Sequence, residues 1–279
     1  MERSMHVLHI PITSSVKMKV ERYFLLLFSL FFVMPSAAET SGSAAEINRL
    51  ASRYESAQGV ERNYPKAFQL YCISAALGNV EANYNLGWMH FNGRGLKSNH
   101  PVAVGWFKRA AGLGDTYATN MLDRLGNIPA EKDSACPIPQ QSRKLNKKQI
   151  ETWVRIISAS QEIDPALVLA VIQTESAFKI KAHSAKNAQG LMQLIPKTAQ
   201  RFGVNNSWDP IENILGGVTY IRWLMQHFEG NVKFVLAAYN AGEGAVKRYK
   251  GIPPYHETQQ YVNKIMARYK REKHPIPPV

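Results

Sequence analysis

Glu175 stands where a carboxylic acid can keep its proton near neutral pH. Leu167, Ala170, Val171, Thr174, Glu175 and Phe178 recur at the spacing of one helix face, and the periodicity predicts a helix running to about Ala177. The glutamate falls on the buried stripe, at the C-terminal end of that helix. A carboxylate there is poorly solvated and faces the negative end of the helix dipole, and both effects favour the protonated form. A glutamic acid kept neutral near pH 7 is what protonation of a glycosidic oxygen requires. For the helix alone, the structural alternative is a core-edge Glu bonded to a lysine or a backbone amide, because such networks also perturb titration.

Two later stretches offer groups that could hold a substrate against this acid. His183-Ser184-x-x-Asn187-Ala188-Gln189-Gly190-Leu191-Met192-Gln193 is a polar, glycine-bearing loop that enters a helix at about Pro196. Gly190 allows close backbone approach to a ligand, Met192 offers an adaptable apolar face, and Gln193 has both donor and acceptor for an amide or hydroxyl. Further on, Tyr239-Asn240-Ala241-Gly242-Glu243-Gly244 reads as a helix-to-turn junction. Taken singly, each piece is also ordinary turn and cap chemistry.

As a set they resemble the catalytic domain of the soluble lytic transglycosylases, which are lysozyme-like. The residues that carry the resemblance are Glu175-Ser176-Ala177-Phe178, Ser184, Ala188-x-Gly190-Leu191-Met192-Gln193 with Pro196 and Thr198-Ala199, then Ala237-Ala238-Tyr239-Asn240-Ala241-Gly242, and Glu257-Thr258-x-x-Tyr261-Val262. They occur in the family's order, and the resemblance covers about residues 148–270. Asn187 departs from the glycine usual there, which bears on the geometry of the loop. The resemblance implies that Glu175 is the sole catalytic acid/base. It implies that Ser184, Gln193 and Tyr239 position the sugar and its acetamido arm, and that Met192 and Ile195 form floor contacts. It further implies that Asn240 supports the turn of the binding site and that Glu257 and Tyr261 close the cleft from the last helix. The activity implied is cleavage of the β-1,4 bond between N-acetylmuramic acid and N-acetylglucosamine in peptidoglycan without water, leaving 1,6-anhydromuramoyl ends.

The carboxylate pattern agrees with that implication. Most glycosidases flank the scissile bond with two carboxylates, yet no Asp or Glu lies between Ser176 and Trp208. A lone acid suffices if the substrate's own acetamido oxygen attacks the anomeric carbon. Deprotonated Glu175 could then take the proton of the C6 hydroxyl, which closes the anhydro ring. Glu257 is the one downstream carboxylate able to serve as a second catalytic group. The chain carries no metal-ligand spacing, P-loop or dinucleotide fingerprint, so no cofactor is expected. Two other readings stay open: a goose-type lysozyme-like or chitin-type hydrolase, and a non-catalytic wall-bound scaffold acting through upstream repeats.

The elements that must position these groups read as helices. Lys147–Ser160 carries Ile150, Val154 and Ile157 on one stripe, Asp164-Pro165 reads as an N-cap with a first-turn proline, and Asp209-Pro210 opens a helix through about Phe228. Upstream, residues 44–126 repeat with a period of 36. Pro65-Lys66-Ala67 matches Pro101-Val102-Ala103, Leu70-Tyr71 matches Trp106-Phe107, and Leu77-Gly78-Asn79 matches Leu113-Gly114-Asp115. Each unit reads as a helix–turn–helix that buries its face by stacking on a neighbour. Through Gly87, residues 93–95, Ala103, Trp106 and Ala110-Ala111-x-x-Gly114, the units resemble the tetratricopeptide-related Sel-one-like repeats, which implies a binding scaffold; a structural spacer is the equal alternative. The expected fold is therefore all-α: solenoid-like repeats over 39–129, a linker over 130–146, a helical lysozyme-like catalytic domain over 147–270, and a frayed basic tail over 271–279.

Composition limits the setting. With 45% hydrophobic and 20% charged residues in 279, the chain is globular rather than disordered. A net charge of +13 favours a polyanionic environment: nucleic acid, anionic lipid or cell-wall polymer. Residues 23–33 form an apolar run behind Lys19 and Arg22, followed by Ser36-Ala37-Ala38, the pattern of a Sec-type signal peptide cleaved before Glu39. The run is too short to span a membrane; an uncleaved anchor is the alternative, and Met18 is a second candidate start. Export to the periplasm argues against nucleic acid as a partner and leaves peptidoglycan glycan strands, with a protein partner for residues 39–129. It also permits a Cys72–Cys136 disulfide; the alternative is a small buried Cys72 with Cys136 free in the linker.

Overall fold

A computed structural model describes residues 44–138 and 144–278. The signal segment expected over 1–38 lies outside the described residues. The repeats comprise α1 (Ala44–Ser56), α2 (Tyr64–Ala76), α3 (Val80–Asn92), α4 (His100–Gly112) and α5 (Thr116–Leu125). Helices α2 and α4 start 36 residues apart, as do α3 and α5, so the sequence period is the structural one. Their starts are set by local chemistry. Asn63, Asn79, Asn99 and Asp115 each accept a hydrogen bond from the backbone amide three residues on, satisfying a donor the helix leaves open. Gly87 lets α3 approach α4, because a β-carbon there would lie 2.5 Å from the Phe107 ring.

The stretch after α5 departs from the expected linker. Through residue 138 it has no regular structure, yet it is tied to the repeats. The Glu131 amide donates to the Pro101 carbonyl at 2.9 Å. Asp133 accepts from the Trp106 indole at 3.0 Å and pairs with His90 at 2.7 Å. Burial works to raise the Asp133 carboxyl, but the bonds and charge from His90, with those from Trp106 and the Ala135 amide, hold it below the usual range. Cys136 is joined to Cys72 of α2, with Cα atoms 5.8 Å apart, so the two cysteines are paired and the segment is cross-linked to the repeat core.

The second half contains α6 (Lys147–Ser160), α7 (Pro165–Glu175), α8 (Pro196–Arg201), α9 (Pro210–His227), α10 (Val232–Ala241), α11 (Glu243–Tyr249) and α12 (His256–Tyr269). The long α9 buries Ile211, Ile214, Val218, Ile221 and Leu224 completely and forms the axis of the core. Asp164 and Asp209 cap α7 and α9 as their sequence context requires, and Asn146 with Gln149 closes a capping box on α6. Helix α6 packs on α7, α9 and α2, so the repeats around α2 share one core with the C-terminal half, while Ala103, Phe107, Ala110 and Ala118 form a second cluster. Lys66 and Glu162 add an ion pair of 2.6 Å across that junction. The described residues contain isolated bridges but no strand, and none of their helices is long and apolar enough to cross a membrane.

The tail over 271–279 is not frayed in its described part. It returns along the C-terminal half: the Val232 amide donates to the Glu272 carbonyl and the His274 amide to the Gly230 carbonyl, each at 3.0 Å. Arg271 pairs with Asp164 at 2.9 Å, and the buried His274 ring accepts the Asp164 amide at 2.9 Å through Nε2. Arg222 and Gln226 hold the Pro277 and Pro278 carbonyls. Charge alone made this segment look solvated; its backbone groups find partners instead.

Candidate active site

Helix α7 ends at Glu175, two residues before the periodicity would carry it. Ser176 caps it through its amide to the Ile172 carbonyl, and Ala177 and Phe178 then take positive φ of 50° and 64°. Two consecutive left-handed residues with side chains are costly, on the order of 1 kcal/mol each, and persist only where the surroundings impose them. Phe178 packs against the core, with the Lys147 ammonium 4.9 Å from its ring centroid. The reversal leaves Glu175 at the mouth of the helix end, half-buried.

A cleft of about 580 Å³ opens there, and Glu175, Ser184 and Gln193 all line it. Glu175 is the one carboxylate among its lining residues. Burial pushes its carboxyl up to about 7; the hydrogen bond from Tyr261 pulls it down and the charge of Glu257 pushes it up further. The Tyr261 hydroxyl donates to Glu175 Oε1 at 2.7 Å, which leaves Oε2 as the oxygen to hold the proton. Tyr261 is itself buried, and burial with the neighbouring Glu175 holds its hydroxyl well above the usual tyrosine range.

The loop over 182–195 is a compact scaffold. Asn213, fully buried on α9, holds it through both ends of its amide: Nδ2 donates to the Gln189 and Ser207 carbonyls at 3.0 Å, and Oδ1 accepts the Met192 amide at 2.8 Å. Gly190, at φ 78°, is required by this clamp. A β-carbon there would meet Asn213 Nδ2 and the Ser207 carbonyl at 2.4 Å, so the close approach is to protein rather than to a ligand. Gln193 spends its amide donor on the Ala182 and Gly190 carbonyls, both at 2.9 Å, and keeps its side-chain oxygen for other partners. Ser184 Oγ accepts the Ala188 amide at 3.1 Å, so its hydroxyl proton stays free to be donated.

The remaining sequence candidates divide. Tyr239 donates to the Met192 carbonyl at 2.8 Å and feels the Glu175 charge, which places it beside the acid. Met192 is fully buried against Gly217 of α9, so its thioether supports the floor from beneath instead of forming its surface. Ile195 is 43% exposed and lies outside the cleft lining. Asn240 accepts from the buried Thr258 hydroxyl at 2.8 Å and so ties the turn to α12. Glu257, its side chain 70% exposed, is paired with Lys186 at 3.0 Å and does not line the cleft. Sequence reading missed Asn213, signalled only by a polar residue inside an apolar helix. It also missed Lys179, Lys264 and Arg268, which only folding brings to the rim beside His183 of the loop. A larger cavity of about 1220 Å³, between α4, the 130–138 stretch and α6, shares no lining residue with the Glu175 cleft.

Residues 153–262 match the family model for the transglycosylase SLT domain, and residues 47–79 and 80–115 match the Sel1 repeat. The half that carries Glu175 is an SLT domain. A transglycosylase of enterobacteria phage PRD1 is 41% identical over 95 residues, covering 33% of this chain and 36% of the phage protein. The soluble lytic murein transglycosylase of Escherichia coli K12 is 32% identical over 133 residues, 39% of this chain and 21% of that protein. The chain thus spans well under half the length of these two relatives. The crystal structure of the 70 kDa soluble lytic transglycosylase of Escherichia coli aligns at 22% identity and a TM-score of 0.40, covering 83% of this chain and 35% of that one. The Sel1 repeats and the SLT domain meet at α2 and α6, inside the shared core.

Proposed function

We propose that this chain is an exported peptidoglycan lytic transglycosylase, acting in the periplasm, whose Sel1 repeats over 39–129 bind a protein partner. One observation carries the enzymatic reading: a single carboxyl group, raised to about 7, stands among the residues that line the SLT cleft, with Glu257 outside that lining. At neutral pH a large fraction of Glu175 is protonated and able to deliver that proton to the glycosidic oxygen between N-acetylmuramic acid and N-acetylglucosamine. As the C–O bond breaks, the acetamido oxygen of the muramoyl residue bonds to its anomeric carbon. The Glu175 carboxylate then takes the proton of the C6 hydroxyl, whose oxygen displaces the acetamido oxygen and closes the 1,6-anhydro ring. Glu175 ends protonated, and no water is consumed. Ser184, Gln193 and Tyr239 hold the sugar and its acetamido arm, Asn240 and Met192 brace the site, Tyr261 sets the protonated oxygen of the acid, and Ile195 and Glu257 contact the strand outside the inner cleft.

Mass spectrometry of the muropeptides released by the purified protein tests this reading. Anhydro ends, lighter by one water than reducing ends, are expected. Reducing ends would instead make the protein a hydrolase of the goose-lysozyme kind, and no release from purified walls would make it a scaffold. Glu175→Gln keeps the size and removes the titrating proton; the expected loss of cleavage is at least about a hundredfold, with the fold intact by circular dichroism. Full residual lysis by that variant would end the assignment.

A further inference from the structure

Four cations line the cavity of about 1220 Å³ that the catalytic reading leaves unused, where α4, the 130–138 stretch and the start of α6 meet. Lys108 and Arg109 come from the end of α4, Lys132 from the stretch, and Lys144 from just before α6. None of the four side chains makes an ion pair or a hydrogen bond among the described residues. Of the two acids in the lining, Asp133 is spent on His90 and Trp106, which leaves Glu131 alone to face these cations. Arg109 is the most constrained of them: its Nε is buried without a partner, and burial works against its charge. A buried cationic donor left open costs free energy until an acceptor arrives.

The wall opposite α4 is preformed. The Cys72–Cys136 bond, the Asp133 bonds to His90 and Trp106, and the Glu131 amide on Pro101 all fasten the stretch to the repeats. Such fastening lowers the ordering cost of binding. The amides of Lys132 and Ser134 have no partner among the described residues, so this wall offers backbone donors as well as charge. Half-buried Pro137 and Ile138 add an apolar patch between the cations. The volume exceeds the roughly 300–1,000 Å³ of ordinary small-molecule sites. Carboxylates, apolar side chains and a backbone that can pair with free amides occur together in a peptide, whereas a glycan strand brings neither apolar side chains nor a continuous peptide backbone.

We infer that this seam is the docking site for an extended acidic segment of a protein partner, its carboxylates on Lys108, Arg109, Lys132 and Lys144 and an apolar side chain against Pro137 and Ile138. The inference rests on the reading that the repeats bind a protein, and gives that protein a chemistry and a seat.

The test selects a phage-displayed library of random peptides on the full chain and titrates each enriched peptide at physiological salt. Enriched sequences are expected to combine Asp or Glu with an apolar residue. Lys108→Gln, Arg109→Gln, Lys132→Gln and Lys144→Gln together are expected to weaken them at least about tenfold, as several ion pairs would. Should Arg109→Gln disturb the fold by circular dichroism, the three exposed lysine substitutions alone are expected to weaken them about fivefold. Lys97→Gln, Lys247→Gln, Arg248→Gln and Lys273→Gln remove the same charge elsewhere and should change affinity by about twofold or less, because salt screens distant charges. Enriched sequences without acids, or equal loss in both quadruple variants, overturn the seam. So does binding of soluble glycan strands in place of peptides that the seam variant loses, or a dimer of the native chain that the seam variant dissolves. Peptides held equally by the native chain and the seam variant put the partner on another face, so the seam fails and the partner reading stands. No enriched peptide at all ends both.

Discussion

The repeats and the SLT domain solve the same problem, how to stop and turn helices, in different ways. Between residues 44 and 126 the chain takes positive φ at glycines such as Gly59, Gly78, Gly93, Gly95, Gly114 and Gly126, with Ala57 the exception. In the SLT half, Glu162, Ala177, Phe178, Asn187, Gln193, Glu229, Lys250 and Lys270 adopt it despite their side chains. The repeat helices are fastened by caps three residues away, the SLT loops by groups far along the chain such as Asn213, Tyr239 and His274. Local fastening lets each repeat helix set its own ends. Distant fastening lets a loop hold a conformation it would not choose, and the loop that does so lines the cleft.

The comparison can be broken most directly at the covalent long-range tie of the repeats. Replacing Cys72 and Cys136 by serine opens a loop of sequence separation 64 and is expected to lower stability by about 4 kcal/mol, read from the denaturant midpoint. The pH dependence of cleavage should stay where it was; movement of that profile would mean the repeats control the acid. Next in size is Asn213→Ala, which leaves the Met192 amide and two carbonyls without their partner and is expected to cost about 3 kcal/mol and to depress turnover. The cap variant Asn79→Ala should cost only about 1 kcal/mol, and equal costs would erase the contrast between local and distant fastening.

A fourth expectation concerns the acid itself. The Glu175 carboxyl titrates at about 7 in the folded protein against 4.5 when unperturbed, so the folded state binds the extra proton and stability falls as pH rises between those values. Glu175→Gln should therefore stabilise the protein by about 3 kcal/mol at pH 8 and leave it unchanged at pH 4, measured by thermal melting. Stabilisation confined to acid pH would reverse the assigned shift. Smallest is Tyr261→Phe. Removing a hydrogen bond that favours the carboxylate should raise the alkaline limb of the pH–rate profile by about one unit or less. A downward move would show that Tyr261 does not donate to Glu175.

What could be read in advance follows the same division. The 36-residue period, the span of α6 and the caps at Asp164 and Asp209 lie in residues that act on their neighbours, and they stand as read. Glu175 was legible because helical spacing and burial are both local to α7. Ala177 and Phe178 hide their left-handed backbone, since nothing in their types asks for it; the packing of Phe178 on the core imposes it. Met192 reads as a surface contact until Gly217 provides the slot that swallows it. The tail's charges look solvated until Gly230 and Asp164 meet it, and the cationic rim exists only once α12 crosses the end of α7.

The joint between α2 and α6 has a practical bearing. Because one helix is shared wall for both halves, severing the chain near residue 140 would not yield two tidy modules; it would strip the covering from an oily flank of α6, beside the helix that ends in the acid. A trimmed SLT fragment should therefore aggregate, and a partner bound to the repeats, as proposed, would press on a beam that also shores up α7.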